Sequence, residues 1–113
     1  MRQLFYVPLH GPVSSNDQST YTNTVSAPGA CHAIGVAVRG QADKLILVVE
    51  GDDKFPTRSA QFQICGLMSD IPFEAGHIGT TSMVVHDSRH VGTNGEPAWC
   101  WMPINVYQLT AWE

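Results

Sequence analysis

Ten glycines and seven prolines are scattered through the 113 residues so evenly that no stretch of about a dozen holds an unbroken helical apolar repeat. A chain punctuated in this way cannot assemble long helices. Short runs of β-branched, aromatic and aliphatic residues recur instead, separated by turn formers about every 10 positions, which is the pattern of a sandwich or barrel. Strands are expected over 4–9, 20–26, 31–39, 44–50, 60–66, 80–86 and 99–112, the last interrupted near Pro103. Residues 67–79 read as irregular, with room for one helical turn at 69–76 before Pro72 objects. No connection is long enough for repeated crossovers, so a parallel sheet is excluded. The expectation is all-β: a single antiparallel β-sandwich of about seven strands, jelly-roll or immunoglobulin-like. One domain spans 1–113, with 1–10 as an N-terminal arm or edge strand.

Two of these runs carry more information than the rest. In 31–39, His32, Ile34, Val36 and Val38 form a large face, while Cys31, Ala33, Gly35 and Ala37 form a small one. Period-2 sorting by size predicts the large face in the core and the small one covered closely by a neighbouring backbone or subunit. Residues 44–50 are apolar on both sides, Leu45, Leu47 and Val49 against Ile46 and Val48. Such a strand is either doubly covered or packed against a partner. Gly40, Gln41, Ala42 and Asp43 read as the hairpin connection between the two.

The surface chemistry agrees with hidden area. Charged residues are only 14% of the chain, where ordinary domains carry roughly 25%. Eight serines, eight threonines, four asparagines and six glutamines supply the polarity instead, and only Lys44 and Lys54 are lysines. Interface cores are depleted of charge, so much of this surface is expected to face other subunits; a merely Ser/Thr-rich sandwich is the other reading. The net charge of −4 carries no basic cluster, which argues against nucleic acid. The longest apolar run, 45–49, is strand length, and the apolar start is broken by Pro8, so no membrane segment is expected. Three cysteines without CxxC spacing, Cys31, Cys65 and Cys100, read as buried thiols of a reducing cytoplasm, with a Cys65–Cys100 bridge left open.

Candidate chemistry is thin. His86 and His90, with His77 or Asp87, have the residue types of a zinc site. On a strand, however, positions four apart stand about 13 Å from one another. Glu50, Asp52 and Asp53, near Asp43, resemble an oxygen-rich loop but lack calcium-loop spacing, so a solvated turn is expected. His32 reads as a core or interface histidine, and nothing pairs a cysteine with a histidine as nucleophile and base. No catalytic, cofactor-binding or metal residue is therefore expected. Trp99 and Trp101 share a strand face, and Trp112 follows closely. These indoles suit a core, a protein interface or a sugar-stacking platform.

The run Gly40-Gln41-Ala42-Asp43-Lys44-Leu45-Ile46-Leu47-Val48-Val49-Glu50-Gly51-Asp52-Asp53 with Phe55, closing on Val106-Tyr107-Gln108-Leu109-Thr110-Ala111-Trp112, resembles small β-sandwich virion proteins of tailed bacteriophages, of the head-decoration or tail-associated kind. The resemblance covers about half the chain and is one of texture, so it transfers no functional residue. It implies a homo-oligomer, often a trimer, docked on a larger protein shell or tail. It also implies no cofactor, and a place in the virion after assembly in host cytoplasm.

The expected role is thus a non-catalytic, self-associating structural protein. Its interface residues would be Ala33, Gly35, Ala37, Ile46, Val48, Trp99, Trp101 and Trp112. The alternative is a small lectin or carbohydrate-binding module using the C-terminal tryptophans.

Overall fold

A computed structural model describes residues 2–17, 19–66, 76–91 and 95–113. Seven strands run in order: β1 (Arg2–Leu9), β2 (Tyr21–Pro28), β3 (His32–Arg39), β4 (Lys44–Asp52), β5 (Thr57–Cys65), β6 (Gly76–Val91) and β7 (Pro97–Gln108). They form a three-stranded sheet, β1-β4-β3, and a four-stranded sheet, β2-β5-β7-β6. Every ladder is antiparallel. The expected all-β sandwich is the fold. An immunoglobulin arrangement sets its first two strands side by side, whereas here β1 and β2 lie in different sheets, so that topology is not the one adopted.

Alternation builds the core. Leu9, Leu45, Leu47, Val49 and Ala33 face inward from the small sheet. They meet Val25, Ala27, Ala60, Phe62, Ile64, Met83, Val85, Met102, Ile104 and Val106 from the large one. Among the described residues no polar or charged side chain is buried. The molecule is a slab of 54 × 30 × 16 Å, and its Cα radius of gyration is 15.5 Å, above the roughly 13 Å of a compact chain this long. Two broad outer faces are therefore presented to the surroundings.

Close approach at one end explains two glycines. Gly29 takes φ 58°, and a Cβ there would stand 2.6 Å from the Asp52 carbonyl oxygen. A Cβ on Gly51 would lie 2.3 Å from the Pro28 carbonyl oxygen. The β2–β3 turn can rest on β4 only because both positions lack a side chain.

The first strand pairs along its whole length with β4, from Arg2 opposite Asp52 to Leu9 opposite Leu45. Residues 2–9 are thus an edge strand of their own sheet rather than a loose arm, and Pro8 is tolerated because it sits on that edge. Pro103 does not interrupt β7, contrary to expectation. The β5 ladder ends at Cys65 opposite Asn105, so among the described residues β7 has no strand neighbour on that side at Pro103 and loses no ladder bond there. Strand β6 begins at Gly76, earlier than the sequence suggests, and the helical turn expected at 69–76 lies almost entirely outside the described residues.

The face assignment of 31–39 needs correction. The pairing of β3 with β4 slips between Ala33, opposite Val49, and Gly35, opposite Val48, leaving Ile34 as an extra residue. One inserted residue reverses which side every later side chain takes. Ala33 consequently lies in the core with Val36 and Val38 packed against it, while Ile34 turns outward and is 48% exposed. His32 is also outside, 4.0 Å from Glu50. The expected small face is therefore split: Ala33 is core, whereas Gly35 and Ala37 look out.

Candidate functional site

The side chains expected to carry metal or catalytic chemistry do not converge. Glu50 is taken by Arg2 at 3.1 Å. Asp52 accepts the Lys54 amide, which holds its carboxyl below the usual range. Asp53 accepts from Gln3 at the same end of the sheet, whereas Asp43 lies in the β3–β4 connection. His77 shares a polar cluster with Thr80 and Asn105. His86 meets the Trp99 ring edge-on at 5.9 Å, and the His90 side chain lies outside the described residues. Among the described residues no group of three or more His, Cys, Asp or Glu is placed to hold a metal ion. All three cysteines are thiols, so no Cys65–Cys100 bridge forms. Cys31 is exposed rather than buried, because it precedes the β3 ladder at the sheet's end. Burial pushes the Cys65 thiol up.

What the fold assembles is two faces on opposite sides of the slab. The first is the outer surface of the three-stranded sheet. Ladder register sets Leu4, Tyr6 and Pro8 of β1 beside Glu50, Val48 and Ile46 of β4, which in turn lie beside His32, Gly35 and Ala37 of β3. Leu4 is 49% exposed, Tyr6 52% and Ile34 48%, a concentration of open apolar surface on a chain with few charges. Three of the charged groups that border it are engaged, Arg2 and His32 on Glu50 and Arg39 with its guanidinium 4.7 Å above the Tyr6 ring, while Lys44 on the same side of β4 is exposed. Of the expected interface residues, Gly35, Ala37 and Val48 meet here, whereas Ile46, on the same side of β4, is already buried at 7% exposure by its own chain. Leu4, Tyr6 and Ile34 were missed. The signal for the first two was present in the sequence, since residues 4–9 are apolar on both sides and only one side can face a core.

Gly35 bears directly on what this face is for. A Cβ built there meets nothing within 4 Å, and its φ is not in the left-handed region. Packing within this chain does not require a glycine at the position, which stands at the β3 bulge beside the extra residue Ile34, a place where glycine is common.

The second face lies on the large sheet. Trp99 and Trp101 project outward from β7, at 63% and 64% exposure, while Cys100 and Met102 between and beyond them turn to the core. Opposite them on β6 stand His86 and Val84. The expected grouping of three tryptophans does not hold. Trp112 is buried at 8% exposure, tilted against Phe62 with ring centres 5.5 Å apart, and its carbonyl accepts the Arg58 guanidinium at 2.7 Å. The ladder alternation that turns Trp99 and Trp101 outward ends with β7 at Gln108. Beyond it the chain pairs backbone-to-backbone with Ser59, through Glu113, and this lays the indole of Trp112 inward.

Fold and faces together define a small two-sheet antiparallel sandwich with one apolar and one aromatic outer surface. In comparisons with protein-family models, curated proteins and solved structures, no match is found. No helix among the described residues is long and apolar enough to cross a membrane.

Proposed function

We propose that this chain is a non-catalytic assembly protein that associates with copies of itself through the outer face of the β1-β4-β3 sheet. The observation that carries the reading is Gly35. It is a glycine mid-strand with open space above it, set among Leu4, Tyr6, Ile34, Ala37, Ile46 and Val48. Glycine weakens a strand, and its use there suits a close approach by another backbone. The bulge accounts for a glycine here as well, and it is the exposed apolar ring of Leu4, Tyr6 and Ile34 around the open position that favours a second copy as the neighbour.

The size of the face sets the strength. Three strands of about eight residues give a plan area of roughly 400 Å². Side-chain relief enlarges this, yet it stays below the ~800 Å² per partner of a standard interface. Single contacts are accordingly weak, and they become durable where many copies are held together. A shell or tail is such a setting, and the resemblance of 40–53 and 106–112 to phage virion modules points the same way. We therefore assign the chain to a particle surface, assembled in host cytoplasm, with no cofactor and no nucleic-acid partner.

Light scattering coupled to size exclusion, run from micromolar to about 100 µM, tests this in the range where contacts of such size assemble. The wild type should gain mass with concentration. Gly35→Val should still fold, since a Cβ there meets nothing within 4 Å, yet stay monomeric. A wild type that remains monomeric at the highest concentration, or a Gly35→Val variant that associates unchanged, removes the proposal.

A further inference from the structure

The tip of the β3–β4 hairpin does not end in solvent. The carbonyl of Ala42 accepts the Val84 amide at 2.7 Å, which fastens the turn to the outer edge of β6. Ala42 holds φ 64°, a left-handed conformation that a residue with a Cβ rarely adopts, and Gly40 beside it holds φ 67°. Such a conformation persists only where the surroundings enforce it. The enforcement places Gln41 and Asp43 beside Trp99, and the four residues Gln41, Asp43, Val84 and Trp99 line a cleft of about 250 Å³. Among the described residues, neither the Gln41 amide nor the Asp43 carboxylate has an intramolecular hydrogen-bond partner.

We propose that this cleft binds a single neutral saccharide ring, with the Trp101 indole extending the platform for a second ring of the same chain. The chemistry of the walls supports it. Trp99 supplies a flat apolar surface, 63% exposed, whose ring is braced edge-on by His86. Val84 forms the apolar floor. The Gln41 amide donates and accepts, and the Asp43 carboxylate accepts only. A ligand that satisfies all of these has an apolar face of C–H groups and hydroxyls that point sideways as donors and acceptors. A pyranose has both. A purely aromatic ligand would leave the carboxylate and amide without partners in a half-covered site. Trp101 lies two residues along the same strand face, roughly 7 Å from Trp99, which makes an extended platform rather than a single stacking point. This site lies across the slab from the self-association face, so the two activities stand or fall separately.

The test follows tryptophan fluorescence of the whole chain during titration with N-acetylglucosamine, galactose, cellotriose, chitotriose and maltotriose. Trp112 is buried and supplies a constant background. Saturable quenching is expected for at least one trisaccharide at or below ~10 mM, the strength of a small and exposed site. Trp99→Ala should weaken it by about tenfold or more, as truncation of an aromatic anchor does. Trp99→Phe should keep part of the affinity, and Asp43→Asn should lose several-fold. Gly35→Val should bind as the wild type does. Thermal melts of each variant confirm folding, which exposed positions tolerate. The proposal is overturned if none of the five sugars quenches saturably, if quenching survives Trp99→Ala undiminished, or if tetramethylammonium chloride quenches where every sugar fails.

Discussion

Replacing the three tryptophans one at a time separates the core indole from the surface pair. Burying an indole removes roughly 200 Å² from water, about 5 kcal/mol at ~25 cal/mol per Å². Trp112 does not realise all of that, because its Nε1 is buried without a hydrogen-bond partner among the described residues. Returning that group to water on truncation recovers about 1–3 kcal/mol. Trp112→Ala is therefore expected to destabilise the fold by about 3 kcal/mol net. With an unfolding entropy of ~2.1 cal/mol/K per residue over 113 residues, that lowers the melting temperature by about 12 °C. Trp112→Phe sets a smaller ring against the loss of the orphaned donor, about 1 kcal/mol on each side, and should melt within a few degrees of the wild type. Trp99→Ala and Trp101→Ala remove mostly solvated rings and should shift the melt by no more than about 4 °C. Scanning calorimetry at one low concentration is the assay, because self-association would otherwise add its own stabilisation. A Trp112→Ala melt no lower than that of Trp99→Ala would refute both the burial of Trp112 and the division of the tryptophans.

Three further outcomes are expected. Gly51→Ala forces a Cβ to 2.3 Å from the Pro28 carbonyl oxygen and 3.1 Å from the Phe5 ring, so urea titration should show a loss of about 2 kcal/mol or more; a loss below ~0.5 kcal/mol would mean that the turn does not rest on β4. The Tyr21 hydroxyl, with the Ser19 amide, holds the Asp17 carboxyl below its ordinary value of 3.8, so the unfolded chain takes up this proton first on acidification. The advantage of wild type over Tyr21→Phe should be complete above pH 4, vanish as pH falls through the lowered Asp17 value, and vanish again at high pH as the raised Tyr21 hydroxyl ionises; an advantage flat from pH 7 to pH 2 contradicts the pairing. In timed alkylation at pH 8, Cys31 should label first and Cys65 last, since one thiol is exposed and the other is buried with its ionisation pushed up; mass spectrometry showing Cys65 labelled first would contradict that order.

The architecture was legible because its causes are local. Even spacing of glycine and proline forbids helices, and the alternation at 60–66 and the short all-apolar run within 44–50 mark strands whatever they pair with. The error at 31–39 had a different origin. Sorting by size was real, but it assumed one unbroken period, and a bulge is set by the pairing partner rather than by the bulged strand. Gly35, beside the extra residue Ile34, is the one sign of the slip, and it was ambiguous because a mid-strand glycine equally suits close approach by a neighbouring backbone. Trp112 was misplaced for a similar reason: strand parity cannot be extended past Gln108, where the ladder ends and tertiary contacts take over. The pairing of Gln41 and Asp43 with Trp99 was out of reach altogether. It depends on a hairpin tip of one sheet meeting an edge of the other, some forty residues further along the chain.

The two outer faces make different demands on a partner, and this decides how the molecule can be used. On the small sheet most bordering charges are already engaged with one another or with a ring, and Lys44 stands at the rim where it can keep its water. A covering surface therefore needs mainly shape and apolar bulk, which another copy of the same face would provide. Around Trp99 the turn backbone that carries Gln41 and Asp43 is tied to β6, while their polar groups are exposed and have no intramolecular partner among the described residues. A second apolar face pressed there would strip water from a carboxylate without replacing its bonds. Apolar association is thus penalised on one side of a slab only 16 Å thick and favoured on the other. A protein that assembled through both sides alike would stack without limit into fibres. Under the two proposals above, one side pairs with the same face of a second copy and the other is left for a hydroxyl-rich ligand, so association would close at a face-to-face pair.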